Sequence, residues 1–192
     1  MEKLLSEIKK CTVCELELPL GANPIVTGST ESKIVVVGQA PGKIVHHTGI
    51  PWNDKSGDNL RNWMGLRREE FYDPSLLALV PMGFCFPGKG NSGDLPPRPE
   101  CAPLWHGQLF AQLKKVELVL LVGNYAQKFY LGKSRKENLT ETVHHFESYL
   151  PKFFPLPHPS PRNNIWQSKH PWFKETVLPR LKVMVKEALK SS

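Results

Sequence analysis

The segment from residue 33 to residue 60 constrains the fold more than any other part of the chain. It opens with four consecutive β-branched apolar residues, Ile34 to Val37, a composition typical of a strand buried on both faces of a parallel sheet. Gly38 ends this run, and Gln39-Ala40-Pro41-Gly42 follows as a tight loop that leaves main-chain N–H groups open to a ligand. Ligands of open α/β sheets bind just beyond the carboxyl ends of such strands. We therefore predict a ligand site at residues 38–42.

Three further apolar runs predict strands, at Leu76–Gly83, Glu117–Gly123 and Phe153–Pro157, and helical patterns lie between them. This alternation predicts an α/β fold, a three-layer α/β/α arrangement with a central four-stranded parallel sheet. Pro81, near the end of the second run, indicates that this strand is finishing or lies at an edge of the sheet. A chain of 192 residues is long enough for one such domain, residues 1–192, with a good core.

Two connecting segments are predicted as loops. Residues 84–101 are rich in proline and glycine, and a loop of this length in a compact domain is either functional or held by something. Cys85 and Cys101 lie at the two ends of this loop, so a metal bound by both cysteines would link its ends. Residues 132–142 are polar and basic, which predicts a surface loop.

The charge balance fits a polyanionic partner. The formal net charge is +7, from 25 Lys+Arg against 18 Asp+Glu, as in many proteins that bind nucleic acid. No apolar run approaches the ~20 residues that a membrane helix needs. The N-terminal sequence MEKLLSEIKK is charged and amphipathic, unlike a secretory signal. We expect a cytoplasmic, monomeric protein that does not bind a membrane.

The four cysteines, Cys11, Cys14, Cys85 and Cys101, predict a metal centre. In a cytosolic chain, a C-x-x-C pair with two distant cysteines indicates metal binding more than disulfides. Zinc and an iron–sulfur cluster both accept four thiolates, so the spacing alone leaves both open. The alternative is a pair of buried free thiols beside a coincidental C-x-x-C.

A second loop, His158-Pro159-Ser160-Pro161-Arg162-Asn163, follows the last predicted strand. It resembles the second active-site motif of the uracil-DNA glycosylase superfamily, closest to the single-strand-selective monofunctional branch. The first loop, G-Q-A-P-G followed by G-I-P-W-N-D-K-S-G at residues 49–57, resembles without a gap the G-E-A-P-G and G-R-P-F-V-G-R-A-G motifs of the iron–sulfur (family 4) uracil-DNA glycosylases. The cysteine spacing is similar to that of family 4, whose members carry a [4Fe–4S] cluster.

The resemblance implies a monofunctional DNA-repair glycosylase whose partner is DNA containing a damaged base. It would hydrolyse the N-glycosidic bond of a flipped base, most simply uracil, and leave an abasic site. His158 would polarise a base carbonyl, the main-chain N–H groups of Gln39 and Ala40 would bind the same carbonyl, and Trp52 would stack on the base. Further substrate contacts are expected at Gly38, Pro41, Gly42, Asn53, Lys89, Ser160 and Arg162, and cluster ligands at Cys11, Cys14, Cys85 and Cys101.

The alternatives are a strand-capping histidine at 158 and a core tryptophan at 52. Arg162 lies where related enzymes insert a side chain into the helix to fill the gap left by the flipped base, and its alternative is an ordinary phosphate contact. The first loop also departs from the family, because Gln39 stands where related glycosylases have an acid that orients water. Asp54 is our candidate for that catalytic role, with Asn53, His46 and His47 as alternatives.

A second departure concerns the base. Pro81 stands where family 4 has an asparagine that reads the uracil edge, so main chain at 81–83, Asn53 or Asn59 would have to replace it. Hypoxanthine and xanthine therefore stay open as substrates. Two other functions also stay open: a non-catalytic DNA-binding protein of the same fold, and a zinc-stabilised hydrolase that handles nucleotides.

Overall fold

The computed structural model describes residues 1–91 and 93–191. The strands are β1 (Ile34–Val37), β2 (Leu77–Leu79), β3 (Lys89–Gly90), β4 (Gly93–Asp94), β5 (Leu118–Val122) and β6 (Phe153–Leu156). The α-helices are α1 (Glu2–Lys9), α2 (Lys43–Thr48), α3 (Lys55–Met64), α4 (Arg68–Tyr72), α5 (Cys101–Gln112), α6 (Asn124–Leu131), α7 (Leu139–His144), α8 (Asn164–Lys169) and α9 (Leu178–Lys190), with π-helical Phe173–Val177 leading into α9. None of the helices in the described part of the chain is both long and apolar enough to cross a membrane.

The central sheet is parallel and has the strand order β2-β1-β5-β6. Both faces of its strands are buried, because alternate side chains enter two separate cores. Ile34 and Val36 join one core with helices α3, α4, α7 and α9. Val35 and Val37 join the other with α1, α5 and α6. This arrangement confirms the predicted α/β/α fold and explains why the strands are apolar throughout.

β2 lies at one edge of the sheet, as Pro81 indicated, and the proline falls just beyond the strand. A short antiparallel hairpin, β3–β4, occupies the segment predicted to be a long loop. The prediction of a loop over 132–142 is wrong at its end, where α7 begins at Leu139. The Asn138 side chain caps this helix by accepting a hydrogen bond from the Glu141 N–H at 2.9 Å, which is a local interaction that apolar periodicity does not reveal.

Candidate active site

A cleft of about 870 Å³ lies beyond the carboxyl ends of the central strands. Parallel strands deliver their following loops to one edge of the sheet, so the loop after β1 and the loop after β6 meet there. The predicted site residues that line the cleft are Gly38, Gln39, Ala40, Pro41, Gly42, Trp52, Asp54, Lys89, His158, Ser160 and Arg162. The structure thus brings together two loops that are more than a hundred residues apart in sequence.

The first loop is fixed against the chain that follows β2. The Gly38 carbonyl accepts a hydrogen bond from the Met82 N–H at 2.8 Å, and the Gln39 carbonyl accepts one from the Gly83 N–H at 3.0 Å. Gly38 must lack a side chain, because a Cβ there would lie 2.6 Å from Cζ2 of Trp52. The glycine therefore lets the indole pack directly on the loop.

Trp52 adopts a backbone conformation that L-residues rarely take, with φ of 56°. Such a conformation costs about 1–3 kcal/mol and persists only when the surroundings enforce it. The Trp52 carbonyl accepts hydrogen bonds from Arg61 Nη1 at 3.3 Å and from the Tyr72 hydroxyl at 3.2 Å. It also packs so closely on Gly57 that a Cβ at this position would overlap the carbonyl. The strain and its supports aim the ring into the cleft.

His158 faces Trp52 across the cleft. The two ring centroids are 5.9 Å apart, with 33° between the ring planes. The Ser160 N–H donates a hydrogen bond to Nδ1 of His158 at 3.2 Å, so Nδ1 carries no proton. In the neutral imidazole the proton therefore sits on Nε2, which leaves an N–H donor for a ligand.

The neutral form of His158 is favoured by its environment. Burial lowers the pKa of its imidazole, and the nearby Asp54 carboxylate opposes that shift in part. Asp54 is itself held in place, because its Oδ1 accepts a hydrogen bond from the Gly57 N–H at 2.9 Å and caps α3. The site therefore presents a neutral hydrogen-bond donor at physiological pH, with a carboxylate beside it.

Two amide side chains, one within the second loop and one on α3, donate hydrogen bonds to main-chain carbonyls of this loop. Asn163 Nδ2 donates to the His158 carbonyl at 2.6 Å, and Asn59 Nδ2 donates to the Pro159 carbonyl at 2.8 Å. These hydrogen bonds fix the position of the loop without a ligand, as a ring that acts on a bound group would require.

The β3–β4 hairpin forms a further wall of the cleft, which sequence reasoning missed. Lys89, which the sequence predicted as a phosphate contact in a turn, and Asp94 pair across its two strands. Gln39 Nε2 donates to the Leu95 carbonyl at 3.0 Å and ties the hairpin to the first loop. The strands have two residues each, too few for the alternating pattern that would have revealed them.

The comparisons with known proteins agree with this architecture. The sequence profile of the Uracil DNA glycosylase superfamily matches residues 25–182, a span that includes both loops and the whole sheet. The chain belongs to the uracil-DNA glycosylase superfamily. It is also 27% identical over 167 residues to the Type-4 uracil-DNA glycosylase of Thermotoga maritima, a match covering 83% of this chain and 81% of the relative.

Some residues predicted for this superfamily member's site lie elsewhere. Asn53 and Asn59 are not among the cleft-lining residues: the amide oxygen of Asn53 accepts from Arg68 Nη2 at 3.0 Å, and Asn59 binds the second loop. Neither His46 nor His47 lines the cleft, although both lie on α2 beside it.

The four cysteines converge outside the cleft. Cys11 and Cys14 follow α1, Cys85 lies beyond the end of β2, and Cys101 begins α5. Burial raises the pKa of the Cys85 and Cys101 thiols to about 11, and the other cysteines add smaller shifts in the same direction. Such mutual influence places the sulfurs near one another, and all four are free of disulfides. The donor set therefore fits a thiolate-ligated metal group.

The sulfurs are nevertheless not packed around a single point. Within residues 1–91 and 93–191, one group of three potential metal ligands has all of its ligand atoms within 4.8 Å of one another. It consists of Glu141 and His144 on α7 and of His145, which follows the helix. No three of the four sulfurs are therefore that close together.

Proposed function

We propose that this protein excises uracil from DNA by hydrolysing its N-glycosidic bond, leaving an abasic site. The observation that carries the proposal is the pairing of Trp52 and His158 across one cleft, with ring centroids 5.9 Å apart. Membership of the uracil-DNA glycosylase superfamily and the similarity to a Type-4 enzyme support it.

Base excision requires an extruded nucleotide, a held base and a stabilised leaving anion. The flipped base would stack on Trp52, a contact worth ~1–3 kcal/mol. Nε2–H of His158 would donate to a base carbonyl and grow stronger as negative charge develops there. The N–H groups of Gln39 and Ala40 would bind the same carbonyl. Because Nδ1 of His158 accepts from the Ser160 N–H, the neutral ring keeps its proton on Nε2, where it can be donated to the base.

The basic residues of the cleft would bind the DNA strand. Lys89 and Arg162 line the cleft, together with Lys43 on α2. Lysine and arginine contacts to phosphate give binding that weakens as salt rises. Ser160 is a further phosphate contact in this proposal. Its hydroxyl oxygen accepts from the Arg162 N–H at 3.3 Å, and its own O–H would donate to a phosphate.

Base identity is the less constrained part of the proposal. Pro81 lines the cleft, and its carbonyl already accepts a hydrogen bond from His106 Nε2 at 3.0 Å. The N–H groups of Met82 and Gly83 are bonded to the first loop. The main chain at 81–83 thus offers few free groups for the uracil edge. With few groups there to select uracil, deaminated purines such as hypoxanthine and xanthine are the second candidate substrate class.

The cysteines would hold a [4Fe–4S] cluster in this proposal. A zinc ion with four thiolates at about 2.3 Å needs its sulfurs roughly 3.8 Å apart. The wider spacing of these sulfurs favours a cluster, in which each thiolate binds a different iron. When bound, the cluster would cross-link the segment after α1, the chain beyond β2 and the start of α5. Iron and zinc analysis of the purified protein, together with its visible absorption, distinguishes the two.

The experiment that tests the proposed function is a panel of oligonucleotides containing uracil, hypoxanthine, xanthine or an oxidised pyrimidine, in single and double strands. Alkali-labile sites should form on uracil with the wild type and far more slowly with His158→Ala. Excision of hypoxanthine but not uracil would reassign the substrate. Salt-sensitive DNA binding with no excision on any substrate, by protein with its metal centre loaded, would establish the non-catalytic alternative.

A further inference from the structure

Two carboxylates line the cleft within the described residues, Asp54 and Asp94. Hydrolysis at the sugar needs a water held on the face opposite the departing base, and a carboxylate is the usual group for this task. The first loop offers Gln39 in place of an acid. Asp54 and Asp94 are therefore the two candidates for holding the attacking water, and their surroundings differ.

Asp54 lies close enough to His158 to act on its ring. Its carboxylate acts on the pKa of His158, whereas Asp94 makes no such contribution to that ring. Its Oδ1 is also engaged in capping α3. A water attacking the sugar must approach from the side away from the base, so a carboxylate that influences His158 and caps α3 is better suited to tuning that ring than to activating the water.

Asp94 is delivered to the first loop by the hairpin. Gln39 Nε2 holds the carbonyl of Leu95, the residue after Asp94, at 3.0 Å, and the Leu95 N–H donates to the Gly88 carbonyl at 2.9 Å. The carboxylate lies directly against Gly42, where an added Cβ would be 3.3 Å from Oδ2 of Asp94. The side chain of Gln39 thus anchors a carboxylate beside the loop in which related enzymes carry their own.

The Asp94 carboxylate is also free to bind water. No hydrogen bond or ion pair engages it among residues 1–91 and 93–191. The charged groups that face it are Lys89 on the paired strand, Arg162 on the second loop, and Asp54 before α3. Partial burial raises the pKa of Asp94, against the lowering effect of the two cations, and a raised pKa makes it a better proton acceptor.

We propose that Asp94 is the catalytic residue that orients the attacking water and accepts its proton, an assignment that rests on the proposed excision of uracil. As the water oxygen bonds to C1′ of the sugar, its proton passes to Asp94. The bond from C1′ to the base nitrogen breaks, and its electron pair leaves with the base. The base anion, held by His158, then takes up a proton from solvent while Asp94 releases its proton to solvent, and the products are the abasic sugar and the neutral base.

The test compares single-turnover excision of uracil from single-stranded DNA by wild type, Asp94→Asn and Asp94→Glu, with Glu137→Gln as the matched control on an exposed surface segment. Asp94→Asn should be slower by roughly 100-fold or more, Asp94→Glu should retain part of the activity, and the control should match wild type. Affinity for an oligonucleotide containing 2′-fluoro-2′-deoxyuridine, which resists excision, should stay unchanged or tighten in Asp94→Asn, because a negative charge near phosphate is removed.

A chemical rescue separates catalysis from structure. Formate should restore part of the activity of Asp94→Gly, since it can occupy the vacated position, and should not accelerate His158→Ala. An Asp94→Asn rate within threefold of wild type would overturn the assignment, and so would a slow Asp94→Gly that formate does not rescue. Absence of excision by the wild type itself would instead refute the proposed function.

Discussion

The cleft and the cysteine centre lie in one fold but are held in place differently. Around the cleft, strand ends and hydrogen bonds fix each group: the Ser160 N–H orients the His158 ring, and Arg61 with Tyr72 holds the Trp52 carbonyl. Among the described residues between Cys85 and Cys101, regular structure is limited to two strands of two residues. At the end of the sheet, strands and hydrogen bonds position the side chains of the cleft. In the segment between Cys85 and Cys101, bonds from the cysteines to a metal would hold the chain instead.

The largest effect should come from the cysteine centre. Cys101→Ser removes a thiolate that begins α5, so the iron content should fall and the melting temperature should drop by roughly 10 °C or more. Val13→Ser is the control, because Val13 is exposed and lies between Cys11 and Cys14. Calorimetry and iron analysis measure both. A Cys101→Ser protein with unchanged iron and melting temperature would show that the four thiols are not a metal centre.

The cleft should respond in activity rather than in stability. His158→Ala removes the donor to the developing base anion, and single-turnover excision should slow by roughly 10²–10³-fold with the metal centre intact. His145→Ala serves as the matched control, since His145 is exposed just after the end of α7. A loss of melting temperature as large as that of Cys101→Ser would contradict the division of roles between the two regions.

Trp52 should show an intermediate effect. Trp52→Ala removes the stacking surface, and excision should fall roughly 5- to 150-fold, as expected for a loss of ~1–3 kcal/mol. Trp52→Phe keeps an aromatic face and should retain most of the activity. If alanine and phenylalanine behaved alike, the indole would be a structural element of the loop rather than a platform for the base.

The smallest effect should be a shift in pH dependence. Asp54 raises the pKa of His158 against the lowering effect of burial, so Asp54→Asn should lower that pKa further. Protonation of Nδ1 breaks the hydrogen bond from the Ser160 N–H that orients the ring, so excision should decline as the pH falls through this pKa. The acidic limb of the rate profile should therefore move to lower pH in Asp54→Asn. Asparagine still caps a helix well, which keeps α3 in place; a limb that moves upward would contradict the proposed coupling.

The sequence predicted the parts of this molecule that local patterns encode. The apolar runs identified all four central strands. Strand-end loops could be recognised as a site because parallel topology brings them together.

The hairpin and Asp94 could not be predicted in this way. Their position depends on the long-range hydrogen bond from Gln39 to Leu95, which no local pattern records. Asn53 and Asn59, predicted as candidates to contact the base, do not line the cleft. Closeness to the site in sequence does not show which neighbour a side-chain amide binds. Asn53 binds Arg68 and Asn59 binds the second loop.

The most direct test of the account is nitrogen NMR of the His158 ring, free and with a uracil-containing oligonucleotide that resists excision. We expect a neutral imidazole at pH 7 with its proton on Nε2 and none on Nδ1, and a marked shift of the Nε2–H signal when the base binds. A proton on Nδ1, or an Nε2–H signal indifferent to the bound base, would contradict the claim that His158 and Trp52 hold one extruded base between them.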